Sequence, residues 1–381
     1  MDGLVQVDAV VYNQSSVDQL DPGSGVSLNE NRFVLRRARL QADVERGYFR
    51  GYISLEANSQ SDPPLRVQRA EVAVRYPADS APSPLLAAAG LFIIPFGFGT
   101  LESDNERLFL EPPHWVNAFF PGRRDLGARV EGRYRFLHAN LAVMNGEPSN
   151  AAFPIRDPNI AKDFVARVTA SGAITSAVQV TGGASLLLGS GFHRGKQQTK
   201  DSLIWRDVNE DGAVQITEVQ VIAGASAEPS RNFARYGLGG DLVVRARLPV
   251  IGDLLVFGEV AWGKNLDRGL WPADPVAAGR SFRELGYALG ISQQLTRHAE
   301  LGVRYDGYNP DLDASDRQGR TLVPIDASFR TLALTAAWRS FDIGRIAVEY
   351  AHHQNALGRN QNGTPTTLAA DSLTIRAQLV F

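Results

Sequence analysis

Between Arg37 and Asn58 the chain alternates between two kinds of side chain. Ala38, Leu40, Ala42 and Val44 interleave with Arg37, Arg39, Gln41, Asp43 and Glu45. After Arg46-Gly47, a tight-turn dipeptide, Phe49, Gly51, Ile53, Leu55 and Ala57 interleave with Arg50, Tyr52, Ser54, Glu56 and Asn58. Successive residues on a strand point to opposite faces, so a period of two makes each segment a strand with one apolar and one charged face, and the turn makes them a hairpin. Strands of soluble sandwiches usually stop at about five or six residues. These run for roughly ten to twelve, which suits a tilted crossing of a bilayer by about nine to eleven residues.

The same alternation recurs over 4–12, 66–76, 85–94, 126–136, 138–146, 163–171, 177–192, 233–248, 253–264, 282–296, 299–308, 328–341, 345–353 and 367–381. With the hairpin this predicts about sixteen strands. Connections are short at Arg46-Gly47, Leu137, Pro249 to Gly252, Arg297-His298 and Asp342 to Gly344. They are long at Asn13 to Glu30, which holds the turn signal Asp21-Pro22-Gly23, and at Pro95 to Asp125, His193 to Arg231 and Leu266 to Arg280. Short turns at one end and long loops at the other predict an all-β fold: one transmembrane antiparallel β-barrel domain over residues 1–381, with short periplasmic turns, long extracellular loops and a polar lumen. On this phase Arg36 and Gln68 fall on the outward, lipid-facing side. Charge near the bilayer midplane is costly there, so the early strands are expected to be shielded in a subunit contact.

Composition narrows the class. The one long apolar run, Leu85 to Leu101, contains Pro95 and three glycines, which argues against a membrane helix. The absence of cysteine fits an exported β-rich protein. A formal net charge of -2 and a pI near 6.3 leave no nucleic-acid footprint. Met1-Asp2-Gly3 runs straight into a strand, which reads as a mature form without its signal peptide and with an added initiator Met.

The run Phe33 to Leu40 (FVLRRARL), the segment Leu91 to Gly97 (LFIIPFG) and the closing Phe381 together resemble the phosphate-selective porin O and P family of bacterial outer-membrane porins. The alternating apolar strand ending on Phe381 also resembles the signal that hands such proteins to their insertion machinery. The resemblance implies a sixteen-stranded homotrimeric porin with its third loop folded into the channel, and in some members basic residues for phosphate. Ile94 stands where those members are expected to carry a polar or basic residue, and acids follow it, so phosphate specificity is not expected.

Four features carry candidate function. Arg37, Arg39, Arg50, Arg69, Arg75, Arg129, Arg133 and Arg135 share the luminal phase of the early strands and predict a basic pore-lining stripe, partly offset by acids such as Glu45, Glu71 and Glu131. The loop 95–125 combines Glu102, Asp104, Glu106 and Arg107 with Phe109, Trp115, Phe119 and Phe120, and its aromatics need a dry place to pack. It is expected to fold inward as the constriction, its acids facing the stripe across a narrowing. In the extracellular loop 193–231, Asp207, Asn209, Asp211 and Glu218 occupy positions 1, 3, 5 and 12 of a calcium-loop pattern. Gly212 stands at the turn and Ala213 offers its carbonyl, so Ca2+ is the expected cofactor. His352-His353 point to opposite faces, leaving at most one in the lumen, and no hydrolase motif accompanies them.

The reading is an outer-membrane diffusion porin, not an enzyme, that admits small hydrophilic anions with modest selectivity. Its partners are membrane lipid and two further copies of the chain. The alternatives are a structural or adhesive barrel with a plugged lumen, and a barrel enzyme.

Overall fold

The computed structural model describes residues 2–13, 31–59, 64–78, 82–148, 157–318, 320–340, 343–359, 365–368 and 370–381. The turn signal at 21–23 and most of the first long loop lie outside the described residues. Sixteen strands close into one antiparallel barrel: β1 (Asp2–Asn13), β2 (Arg32–Arg46), β3 (Phe49–Ala57), β4 (Leu65–Tyr76), β5 (Leu85–Ile93), β6 (Arg124–Tyr134), β7 (Leu137–Met144), β8 (Asp163–Thr175), β9 (Val178–His193), β10 (Arg231–Leu248), β11 (Gly252–Lys264), β12 (Arg283–Gln294), β13 (Ala299–Asn309), β14 (Phe329–Ser340), β15 (Gly344–Gln354) and β16 (Asp371–Val380). Each strand pairs with its neighbour in sequence, and β1 closes on β16 from Leu4 opposite Val380 to Asn13 opposite Asp371. Two-stranded ribbons decorate the long connections, among them Ser202–Trp205 paired with Val219–Ile222.

Period-two alternation sorts the side chains. Leu40, Val44, Ile53, Val72, Val130, Leu289, Leu334 and Ile375 are exposed on the outside, where lipid covers them. Exposed aromatics cap this band. Phe49, Tyr76, Tyr134, Trp338 and Phe381 sit at the short-turn end, and Phe33, Tyr305 and Tyr350 toward the long-loop end, as in the aromatic girdles of membrane barrels. By the same rule the short turns face the periplasm.

Register shifts interrupt the ladder at Gln6/Val7, Ser54/Leu55 and Ala173/Thr175, and the first two correct the outward placement of Arg36 and Gln68. Opposite β1 the register passes from Gln6–Arg37 to Val7–Leu35, leaving Arg36 as an extra residue. Opposite β3 it passes from Ser54–Arg69 to Leu55–Val67, leaving Gln68 extra. A β-bulge of this kind puts two consecutive side chains on one face. Arg36 and Arg37 both reach the acids of the third loop, and Gln68 donates to Glu56 at 2.6 Å. Neither residue faces lipid, so they give no reason for a subunit contact along the early strands.

A further irregularity starts the long loop. Gly90 pairs with Gly127, and Gly90 has φ of +134°. A Cβ at Gly90 would lie 2.1 Å from the Ala70 carbonyl oxygen, and one at Gly127 would lie 2.1 Å from that of Val143. Beyond this pair the alternation lapses on both strands: Phe92 and Asp125 are fully buried, while Ile93 and Arg124 line luminal cavities. The paired glycines let β5 and β6 carry the loop between them into the barrel. Gly90→Ala combines a disfavoured φ with backbone overlap, and should destabilise the barrel by about 2 to 3 kcal/mol. Denaturant unfolding of the reconstituted protein, followed by tryptophan fluorescence, measures this, and a loss below about 0.5 kcal/mol would remove the hinge role.

Candidate functional site: the luminal constriction

The connection between β5 and β6, residues 94–123 (L3), lies inside the barrel. It holds the short helices Phe98–Leu101 and His114–Phe119 and the 3-10 turn Pro121–Arg123. Its amides and carbonyls are bound by the wall. Gly97 N donates to Ser185 Oγ at 3.1 Å, Gly99 N to Glu259 at 2.9 Å and Leu110 N to Glu349 at 3.0 Å. Arginines donate in return: Arg345 to the Arg107 and Leu108 carbonyls, Arg376 to that of Leu110 and Arg304 to that of Glu111. A loop without a sheet of its own thereby has its backbone polar groups satisfied.

The apolar residues of L3 divide the lumen. Ile94, Phe96, Trp115, Val116, Phe119 and Phe120 are almost completely buried, in one cluster with Met144, Val165, Leu187, Ala261, Leu266 and Tyr308. That cluster fills the side bounded by β7, β8, β9, β11 and β13. Ile94, at the position where the family resemblance suggests a polar group, is a core residue.

Water-accessible space remains along the β2 to β6 wall. An outer cavity of about 630 Å³ is lined by Arg36, Arg37, Arg39, Arg66, Arg123 and Arg124 against Glu56, Asp104 and Glu111. A middle cavity of about 300 Å³ shares Arg39, Asp104, Arg123 and Arg124 with it. An inner cavity of about 490 Å³ shares Arg69, Ile93 and Leu101 with the middle one and adds Arg50, Arg75, Arg129 and Arg133 against Glu45 and Glu131. The outer lining therefore has three more guanidiniums than carboxylates, and so does the inner.

Asp104 lies where the outer and middle cavities meet. Arg39 donates to it at 2.8 Å, Arg123 contacts it directly, and Arg37 and Arg107 stand at 3.6 and 3.7 Å. Burial alone would raise the pKa of this loop carboxyl, but Arg123, Arg37, Arg39 and Arg107 hold it well below the usual carboxylate range. Glu111 is held down in the same way, against burial, by Arg36, Arg37 and Arg376. Arg39 and Arg66 share Glu56. Arg124 differs: it has no ion-pair partner among the described residues, its Nη1 donates to the Gly122 carbonyl at 3.0 Å, and its buried Nε has no partner.

The sequence-predicted residues separate accordingly. Arg37 and Arg39 sit at the constriction, while Arg50, Arg69, Arg75, Arg129 and Arg133 line the inner cavity. Arg135 is a correction. It falls in the turn after β6 with φ of +52°, and its guanidinium lies 5.2 Å from the centre of the outward-facing Tyr134 ring. The strand ends at Tyr134, so the luminal phase does not extend to Arg135. The expected field between loop acids and stripe is also corrected, because Asp104 touches the arginines instead of facing them across a gap. Glu102 binds Arg107 at 2.8 Å, and Glu106 is exposed. Sequence reasoning missed Arg36, Arg66 and Arg124 as pore residues, along with the second inward connection, residues 265–282 (L6). In L6, the Arg268 and Gly269 amides donate to the Ala118 carbonyl at 2.8 and 3.0 Å. Two polar residues in succession, at Arg36-Arg37 and Gln68-Arg69, were the available signal of the bulges.

Of the two adjacent histidines, His353 faces the lumen, bonded to Thr331 and 5.9 Å from the His114 ring, while His352 bonds Asp371. In the connection between β9 and β10, Asp207 accepts from the amides of Asp211 (3.2 Å) and Gly212 (2.8 Å), and Gly212 takes φ of +74°. Desolvation raises the Glu218 pKa, but donors on Val208, Trp205, Asn209 and Gln215 lower it on balance. Among the described residues no group of three or more His, Cys, Asp or Glu side chains is arranged to hold a metal ion.

No family model and no curated protein sequence matches the chain. Solved structures do. The outer membrane channel DcaP of Acinetobacter baumannii aligns over 100% of this chain and 96% of its own, at 10% identity and a TM-score of 0.59. An anion-selective porin from Comamonas acidovorans aligns over 100% and 98%, at 11% identity and 0.55. The outer membrane protein OmpT of Vibrio cholerae, in a trimer form, aligns over 100% and 98%, at 8% identity and 0.55. The chain has the fold of the bacterial outer-membrane barrels.

Proposed function

We propose that the protein is an outer-membrane diffusion porin that passes small hydrophilic solutes and favours anions. The observation that carries this reading is the series of adjoining cavities past Asp104, with its surplus of guanidiniums. A low-dielectric wall carrying one sign of charge concentrates counter-ions. Because most of the arginines are paired, the preference is modest and falls as salt screens it over about 8 Å at physiological ionic strength. The likeness to an anion-selective porin supports the reading. Kinship with phosphate-selective porins O and P belongs to the same proposal through its short motifs, without a phosphate-grade site, since Ile94 is buried in the apolar cluster. The working particle is a homotrimer, as the trimer form of a protein with this fold suggests. Loop 207–218 takes Ca2+ weakly, with Asp207, Asn209, Asp211 and Glu218 binding by side chain and Ala213 by its carbonyl. Each carboxylate must first give up its amide donors.

Reversal potentials in a KCl gradient across a planar bilayer test the channel. The wild type should favour chloride. Arg124→Gln should lower that preference about fivefold, the factor for one unit charge near 4 Å in water, and Arg135→Gln should leave it unchanged. A cation-selective wild type refutes the anion preference, and a barrel without conductance points to a plugged lumen.

The assembly is tested by the mass of the protein in mild detergent, where three chains are expected and a monomer under every mild condition excludes the trimer.

For calcium, titration calorimetry should give a dissociation constant of about 0.1 to 1 mM, lost in Glu218→Gln. Flat traces from both proteins would make 207–218 an ordinary acidic turn.

A further inference from the structure

The luminal path carries a second kind of lining beside its arginines. In the outer cavity, Pro112 and Pro121 of L3 and Leu270 of L6 stand with the guanidiniums. Ile93 and Leu101 line the middle and inner cavities, and Leu86 lines the inner one. Leu270 and Leu101 remain 36% and 39% exposed there, in a lumen where polar side chains are the rule.

These apolar residues are held in place. The buried Asp267 accepts from the amides of Gly269 and Leu270 at 3.0 Å each and from that of Trp271 at 3.1 Å, and Tyr308 fixes it through a 2.7 Å hydrogen bond. Arg268 Nε donates to the Phe119 carbonyl at 2.9 Å, joining L6 to L3. The arginine side is fixed by the two bulges and by the ion pairs of Asp104, Glu56 and Glu111. Both sides are set before a solute arrives, which lowers the cost of binding.

Resting on the anion-channel reading above, we propose that the solutes this path selects are anions with an apolar body, aryl or branched-alkyl carboxylates, rather than small inorganic anions. The carboxylate meets Arg124, which has no ion-pair partner among the described residues, and the hydrocarbon lies against Leu270 and then Leu101. A polar pore discriminates by charge and size, so a bulkier carboxylate would interact no better than acetate. An apolar track reverses that order, because the ring leaves water as it enters.

The experiment compares sodium benzoate with sodium acetate as blockers of the chloride current of the reconstituted full-length protein. The half-blocking concentration should be about tenfold lower for benzoate, the size of effect expected when part of a ring is taken out of water. The benzoate-to-acetate ratio cancels changes in overall conductance. Leu270→Asn and Leu101→Asn, on different loops, should each bring it toward one, and Leu270→Met should keep it. Arg124→Gln should weaken both blockers together. Equal half-blocking concentrations in the wild type, block by neither compound, or a ratio unmoved in both asparagine variants would overturn the inference while leaving an anion-selective porin intact. A wild-type channel that favours cations would remove the anion reading beneath it.

Discussion

Hydrocarbon offers no partner to a backbone N–H or C=O, and that constraint governs this molecule. A spanning sheet must close on itself, and the pairing of β1 with β16 does so. Closure in turn makes the period of two obligatory, because each residue on a spanning strand faces either lipid or lumen. The functional features then arise where the period is interrupted. The bulges at Arg36 and Gln68 deliver extra polar side chains to one stretch of wall, and the Gly90–Gly127 pair opens the adjacent strands to L3. These three interruptions lie within β2 to β6, the wall along which the arginine-lined cavities run.

Much of the barrel was legible in the chain because closure writes itself as alternation. Strand number, strand order and the contrast between short and long connections follow from where Arg129, Glu131 and Arg133 alternate with Val130, Gly132 and Tyr134. Four things resisted reading for physical reasons. A bulge is a mismatch between partners, and one strand's pattern carries only a faint sign of it, two polar residues in succession at Arg36-Arg37. The ends of strands were equally obscure: Arg135 continues the alternation of β6 in sequence, but the chain has already turned there. Ion pairing across the lumen is less legible still, since Asp104 meets Arg39 and Arg37 only after L3 has crossed the barrel. L6 went unnoticed because its inward path depends on single contacts such as Asp267 with Tyr308 rather than on periodicity.

The pairing of charges limits what the lumen can do. Removing ions from water costs more than their attraction returns unless partners and hydrogen bonds are nearly complete, so Arg39 with Glu56 and Asp104, or Arg376 with Asp8 and Glu111, stiffen the wall and tether L3. A paired guanidinium contributes little field at a distance. On the proposed function, selectivity rests on the residual charge of the lining, and Arg124 is the constriction arginine that has no ion-pair partner among the described residues.

The division of the lumen gives that residual charge its setting. The aromatic cluster of L3 packs against β7 to β13, and the path lies between that apolar mass and the guanidiniums of β2 to β6. A separate cavity of about 630 Å³, lined by Arg245, Arg247, Asp253, Glu300 and Arg339, lies toward the short-turn end of β8 to β14. Field lines from an ion beside low-dielectric material are confined to the aqueous side, so the same packing that anchors L3 strengthens the effect of each unpaired charge facing the path. Loss of Phe96 or Trp115 would thus act twice, loosening the loop and admitting water behind it, and the second effect would weaken selectivity even if every arginine kept its position.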